Sequence, residues 1–134
     1  MPRGEYIIKN KIRILAVEDE AISALLLNAY LAAQGYECGE AVATGEEAVE
    51  RAARENPDVV FMDIQLAGKM DGIEAARLIK RNRENTQIVF VTAYSDEETM
   101  AGAMKIDPLA YILKPFNIEE LKKVIDIMDG RCEN

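Results

Sequence analysis

Several carboxylates, one hydroxyl and one ammonium stand where apolar runs of the sequence stop. Glu18, Asp19 and Glu20 follow one such run, Asp63 follows Val59–Met62, Thr92 ends another, and Lys114 follows a fourth. Carboxylates brought close together repel, which raises their pKa values unless a cation compensates. A few oxygen ligands of this kind suit a hard divalent ion that keeps several of its waters, and Mg2+ is the best match. A carboxylate beside such an ion, with a hydroxyl and a lysine at hand, is a set for phosphoryl transfer: a nucleophile, a charge-neutralising metal and donors for the transferring oxygens. Asp63, aimed out of a buried strand, is placed as the nucleophile. The chain has no histidine. That excludes Ser-His-Asp and Cys-His nucleophilic sites and His-ligated zinc, and the chain cannot itself carry a phosphohistidine.

Whether these groups meet depends on the elements that carry them. Residues 12–17 (IRILAV) read as a first strand, followed by a helix over 20–34. Ile22, Leu25, Leu26, Ala29 and Ala33 are expected on its inward face, with Gly35 as its C-terminal cap. A weaker strand is expected over 36–43. Thr44 and Glu47 form a capping box for a second helix with Ala48, Val49, Ala52 and Ala53 inward, and Asn56-Pro57-Asp58 stops it. Val59–Met62 is the third strand, and Asp71-Gly72 leads into a third helix carrying Ile73, Ala76 and Ile79. Residues 88–91 form a fourth strand. Ser95 and Glu98 make a second capping box, for a fourth helix that ends before Asp107-Pro108. Ala110–Leu113 is the fifth strand, and Asn117 caps a fifth helix with Ile118, Leu121, Val124, Ile125 and Met128 inward.

Strands alternating with helices imply a parallel sheet, and near-continuous apolar strands imply helices on both of its faces. The expected fold is therefore α/β, a flavodoxin-like doubly wound (βα)5 with five parallel strands in the order 2-1-3-4-5. It occupies residues 12–130, with tails at 1–11 and 131–134. In such sheets the ligand site lies beyond the carboxyl ends of the strands, here between the first and third. The acids, Thr92 and Lys114 then share one rim. Each has a plainer reading alone: Asp19 or Glu20 could cap the first helix, Asp63 could sit in a turn, Thr92 could be a β-branched strand residue and Lys114 a solvated lysine. Four plain readings coinciding at one rim is a weaker account than one site.

The totals agree with a single domain: 134 residues, 49% apolar and 30% charged, in the ordinary globular range. A net charge of −8 argues against direct nucleic-acid binding, which needs a basic face. No apolar run approaches the ~18 residues that span a membrane. Cys38 and Cys132 lack metal-ligand spacing, and the opening residues MPRGEYIIKNKIR lack the apolar core of a secretory signal. A reduced, cytoplasmic protein is expected.

Four motifs, VEDE, FMDIQL with MDG, VTAY and YILKPF, occur in this order along residues 11–130. Together they resemble the response-regulator receiver domain of two-component signalling. The resemblance implies that Asp63 is the phosphoacceptor. It implies Mg2+, with Mn2+ able to substitute, held by Asp19 directly, by Glu18 through water and by Asp63, with the backbone carbonyl of Gln65 as a further ligand. Thr92 would be the switch hydroxyl, with the small Ala93 leaving access. Lys114 would pair with a phosphoryl oxygen and join Pro115 through a cis peptide, and Tyr111 would be the aromatic switch. The donor would be a partner histidine kinase or phosphotransfer protein. The phosphorylated state would present the fourth helix, fifth strand and fifth helix to a downstream protein partner or to a second copy in a homodimer. Such a domain assists its own phosphorylation and dephosphorylation but is not a turnover enzyme.

The sequence departs from the family pattern in one loop. Asp63 and Asp71 are eight positions apart, one more than is usual, and Ala67 stands where proline is common. The loop is expected to be longer and looser. Tyr94, two residues after Thr92, is expected to shield an acyl phosphate from water. A haloacid-dehalogenase-type phosphatase would need a second aspartate where Gln65 stands. A nucleotide-binding module would need a glycine-rich loop where VEDEAIS places acids. A phosphorylation-independent module of the same fold, or a receiver cut from a hybrid sensor kinase, are the remaining alternatives.

Overall fold

The computed structural model describes residues 12–131. The tail at 1–11 and residues 132–134, with Cys132, lie outside the described residues. The elements in chain order are β1 (Ile14–Val17), α1 (Ala21–Ala33), α2 (Gly45–Glu55), β2 (Val59–Met62), α3 (Gly72–Asn82), β3 (Gln87–Thr92), α4 (Glu97–Met104), β4 (Ala110–Leu113) and α5 (Ile118–Arg131). The four strands are parallel and lie in the order β1-β2-β3-β4. Side chains alternate across the sheet, as extended backbone requires. Ile14, Phe61, Val89 and Ile112 pack with Leu27 and Leu31 of α1 and Leu121 and Met128 of α5. Leu15, Val60, Met62 and Phe90 pack on the other face with Ala48 of α2, Ala76 and Ile79 of α3 and Ala103 of α4. The result is a three-layer α/β/α sandwich with two cores.

The strand expected over 36–43 does not form. Gly39 takes a left-handed conformation (φ +66°) in the middle of that segment and breaks its extension. What remains is one parallel bridge, Val17 with Val42, on the free edge of β1. There Val42 N donates to Ala16 O (3.0 Å) and Glu18 N donates to Val42 O (2.8 Å). The sheet is thus four strands rather than five, and the bridge still anchors the backbone that leads into the acidic run.

The helix ends follow local chemistry. Thr44 Oγ1 accepts from Glu47 N, Asp71 Oδ1 from Glu74 N and Asn117 Oδ1 from Glu120 N, so α2, α3 and α5 begin where a side chain can take an otherwise orphaned amide. For α4 the cap is Asp96, which accepts from Thr99 N, and not Ser95 as the sequence suggests. After α1, Gly35 is left-handed and Tyr36 N returns to Leu31 O, closing the helix.

The inward face expected for the first helix is its outward one. Leu27 and Leu31 are buried, whereas Ile22, Leu25, Leu26, Ala29 and Ala33 are all exposed. This helix is apolar nearly all round, so its sequence offers no contrast from which to orient it. Elsewhere the expected faces hold apart from their ends: Ala53 and Ile118 are exposed, while Ala48, Ala52, Ala76, Ile79, Leu121, Val124, Ile125 and Met128 are buried.

Candidate functional site

Register, not loop geometry, sets the site. Val17 pairs with Met62, Met62 with Phe90, and Thr92 with Leu113. Glu18 and Asp63 are therefore the first residues beyond two adjacent paired strand ends, and Lys114 is the first beyond Leu113. Asp63 N donates to Val17 O (3.0 Å) and Lys114 N donates to Thr92 O (2.8 Å), which extends the ladder to Asp63 and Lys114 themselves.

The side chains singled out in the sequence meet on this rim. Asp63 is 6% exposed, Glu18 8% and Thr92 0%. Lys114 Nζ donates to Asp63 Oδ2 (2.8 Å), to Glu18 Oε1 and, at 3.5 Å, to Glu20 Oε1. Asp63 Oδ1 accepts from Gln65 N (3.3 Å), and Glu18 Oε2 accepts from Glu20 N (3.0 Å). One carboxylate oxygen from each of Glu18, Asp19 and Asp63 lies within 4.8 Å of the others, and Asp19 is exposed. Glu20, the residue that precedes α1, caps none of its backbone amides and instead accepts from Ser23 Oγ (3.3 Å).

The electrostatics are those of a charged cluster held out of water. Burial pushes the Glu18 carboxyl above its ordinary range, the Asp63 charge adds to this, and bonds from Lys114 and Glu20 N offset part of it. Burial alone would lower the Lys114 ammonium. Its hydrogen bonds to Asp63 and Glu18, with their charges, outweigh that and leave it above its usual value. One ammonium thus faces several carboxylates. Three carboxylates with oxygens within reach of one ion, two of them buried, are a donor set that fits a hard divalent cation.

Thr92 Oγ1 accepts from Tyr94 N at 3.4 Å, and Tyr111 Oη donates to Tyr94 O at 2.9 Å. The backbone of Tyr94 therefore links the hydroxyl to the aromatic ring, which lies 6.0 Å from Phe90 between centroids. Burial raises the Tyr111 hydroxyl, and the charges of Asp96 and Asp63 add to it. The Lys114-Pro115 bond is cis. Cys38 is half-buried, and burial pushes its thiol up to about 11, which fits an unreactive thiol rather than a participant.

A family profile described as response regulator receiver domain matches residues 14–126. The chain belongs to that family. Among curated proteins this receiver is 37% identical over 119 residues to transcriptional regulatory protein PdtaR of Mycobacterium tuberculosis, 89% of this chain and 57% of PdtaR. It is 32% identical over 113 residues to sporulation initiation phosphotransferase F of Bacillus subtilis, 84% of this chain and 90% of that protein. It therefore spans little more than half of PdtaR but nearly the whole of the second relative. The solved receiver domain of a modulated diguanylate cyclase from Desulfovibrio desulfuricans G20 has a TM-score of 0.79 at 33% identity, covering 89% of this chain and 94% of that one. A LuxR-family DNA-binding response regulator from Staphylococcus aureus has a TM-score of 0.80 at 26% identity, covering 88% and 98%. Among the described residues no helix is long and apolar enough to cross a membrane.

Two features of this receiver escape a reading of residue types. The loop after Asp63, expected to be loose, is tied down: Thr44 bridges Ala67, Lys69 N donates to Glu46 Oε2 (3.3 Å) and Gly72 N donates to Ile64 O (2.8 Å). The expected looseness is replaced by a seam against the start of α2. The second feature is Gly72. A Cβ there would stand 2.0 Å from Asp63 O and 2.8 Å from Asp63 C and Ile64 Cα, all backbone atoms. The start of α3 thus presses on the peptide of Asp63 itself. Asp71-Gly72 is visible in the sequence as a turn, but nothing in it tells which backbone the glycine must clear.

Proposed function

We propose that this receiver accepts a phosphoryl group on Asp63 from the phosphohistidine of a partner histidine kinase or phosphotransfer protein. The observation that carries the reading is the Asp63 carboxylate itself, nearly buried, held by Lys114 and within 4.8 Å of oxygens of Glu18 and Asp19. Asp19, Asp63 and the Gln65 carbonyl would hold Mg2+ directly and Glu18 would do so through water, with Mn2+ able to substitute. When bound, the ion supplies neutralisation of the charge on the transferring oxygens.

An Asp63 carboxylate oxygen attacks phosphorus in line with the breaking phosphorus–nitrogen bond, and the donor imidazole keeps the electron pair of that bond. Lys114, already bonded to Asp63 Oδ2, turns to a phosphoryl oxygen, and the Thr92 hydroxyl donates to another. Moving Thr92 Oγ1 breaks its contact with Tyr94 N, and through Tyr94 this loosens the hydrogen bond that holds the Tyr111 ring against Phe90. The new charge and oxygens shift the population toward a different α4–β4–α5 face, which binds a downstream protein or pairs in a homodimer. The protein acts in the cytoplasm, assists its own phosphorylation and dephosphorylation, and does not turn over an external substrate.

The test is intact-mass spectrometry after incubation with acetyl phosphate, with and without Mg2+, on the wild type and on Asp63→Asn. The expected result is one Mg2+-dependent phosphoryl increment in the wild type and none in the variant. An increment that persists in Asp63→Asn moves the acceptor elsewhere. No increment from acetyl phosphate or from a phosphorylated kinase domain overturns the reading in favour of a phosphorylation-independent module.

A further inference from the structure

One guanidinium at the amino end of the sheet has no partner. Arg83 closes α3, and its Nη1 is shut off from solvent without a hydrogen bond. None of the ion pairs among the described residues includes it. Holding a charged donor out of water with no acceptor costs stability, and an apolar side chain of similar length would fill the space without that cost. Helix polarity does not account for it. The negative ends of α2 and α3 favour cations here, but a guanidinium serving them would donate to their last carbonyls. Arg13 does so, through Nη1 to Glu55 O (3.1 Å), and Arg83 does not.

Arg83 lines two cavities. The smaller, about 140 Å³, has Val49, Ala52 and Ile79 in its wall and offers the guanidinium no carboxylate. The larger, about 540 Å³, is lined by Arg13, Asn56, Asp58 and Arg83. That size is in the range of cavities that hold small molecules. Nη1 is the only nitrogen of Arg83 that is both shut off and unbonded, so the rest of the fork is open to a ligand in the larger cavity. Two guanidinium groups therefore share this wall with one carboxylate, and Asp58 Oδ2 already accepts from Arg13 N (2.8 Å). The net charge of −8 on the whole chain acts mostly from beyond the ~8 Å over which salt screens exposed charges.

We propose that this cavity binds a phosphate group, that of inorganic phosphate or of a small phosphorylated molecule. Arginine forks match carboxylate and phosphate alike. A carboxylate has two oxygens and is filled by one fork, whereas phosphate has enough oxygens to take Arg13 and Arg83 together. A phosphate that keeps one proton can donate it to Asp58, so the acid in the wall selects phosphate over an aprotic anion such as sulfate. The guanidinium charge is delocalised, so an anion on the open edge of Arg83 compensates the whole group. Asp58 and Asp63 flank β2 at opposite ends, roughly 16 Å apart, which separates this site from the acidic rim.

Amide-resolved NMR of the full chain in metal-free buffer tests this, with inorganic phosphate, adenosine monophosphate, sulfate and chloride at matched ionic strength as probes. Expected are saturable shifts at Arg13, Asn56, Asp58 and Arg83 with phosphate, with dissociation in the millimolar range, and a loss of affinity of about tenfold or more in Arg83→Met. Tighter binding of adenosine monophosphate assigns the group to a phosphorylated molecule, and tighter binding of inorganic phosphate assigns it to the free ion. Sulfate or chloride binding as tightly as phosphate overturns the proposal, as does the lack of a saturable shift with both phosphate probes. Shifts unchanged in Arg83→Met overturn the location. Thermal melts give a second readout: without phosphate Arg83→Met should melt at or above the wild type, and only the wild type should gain when phosphate is added. A variant that melts below the wild type in phosphate-free buffer, or does not fold, makes Arg83 a structural group and overturns the proposal.

Discussion

The two ends of the sheet handle polar groups in opposite ways. At the amino end, side chains close on backbone: Asp58 Oδ2 accepts from Arg13 N (2.8 Å), Arg13 Nη1 donates to Glu55 O (3.1 Å), and Thr86 Oγ1 donates to Pro57 O (3.2 Å). Each bond satisfies a strand or helix terminus. At the carboxyl end, charged atoms are satisfied mainly by one another, with Lys114 shared between Glu18, Glu20 and Asp63. The amino end is finished mainly against backbone, with one buried guanidinium nitrogen, Arg83 Nη1, left without a hydrogen bond, whereas the carboxyl end is a store of unspent charge. Burying unlike charges together is an uncertain source of stability, since desolvation opposes their attraction. Its presence at one end only marks that end as the place where chemistry is expected.

This contrast can be strained by substitution. The largest expected effect is from Gly72→Ala, whose methyl would overlap the Asp63 peptide. Chemical denaturation should show a loss of about 3 kcal/mol or more, because backbone on both sides must move. A loss below about 1 kcal/mol would mean that the α3 start does not brace Asp63. Next comes Lys114→Ala, which strands two buried carboxylates. It should lower stability in metal-free buffer by roughly 2–4 kcal/mol, and added Mg2+ should recover more stability in this variant than in the wild type, read by thermal melts with and without the ion.

The amino end should respond differently. Asp58→Ala removes one bond to a main-chain amide and should cost about 1 kcal/mol, with phosphoryl uptake at Asp63 unchanged. Altered uptake would show that the two ends are coupled. The smallest effect has the opposite sign. Glu18 has its pKa raised in the fold, so the folded chain holds that proton more tightly than the unfolded chain does. Its ionisation therefore destabilises the fold as pH rises from the ordinary glutamate range through the raised value. Glu18→Gln should stabilise the metal-free protein at neutral pH and have little effect at low pH, while weakening Mg2+ binding. Equal stability of the two proteins from pH 4 to 8 would contradict the shift.

Much of the carboxyl rim was legible because a parallel strand buried on both faces reads as a continuous apolar run, and the first charge after such a run must sit at its end. Val59–Met62 followed by Asp63 is the clearest case, and Lys114 after Ala110–Leu113 is another. The segment at 36–43 misled because an edge strand needs only one bonded side, and a single left-handed Gly39 is enough to reduce it to a bridge. The orientation of α1 was not legible for a different reason: periodicity locates a buried face only when the other face is polar. The Gly72 contact and the seam from Thr44 to Ala67 are meetings of backbone with backbone, which residue types do not encode.

The ladder that joins Val17, Met62, Phe90, Tyr111 and Thr92 also works as a ruler. One notch of slip between two strands would displace a reactive group by about 3.3 Å and turn it to the opposite face of the sheet. There is no intermediate setting, so placement of Asp63 is digital rather than graded. Helix surfaces and loop lengths can then vary, while the distances that matter are kept by counting bonds between strands.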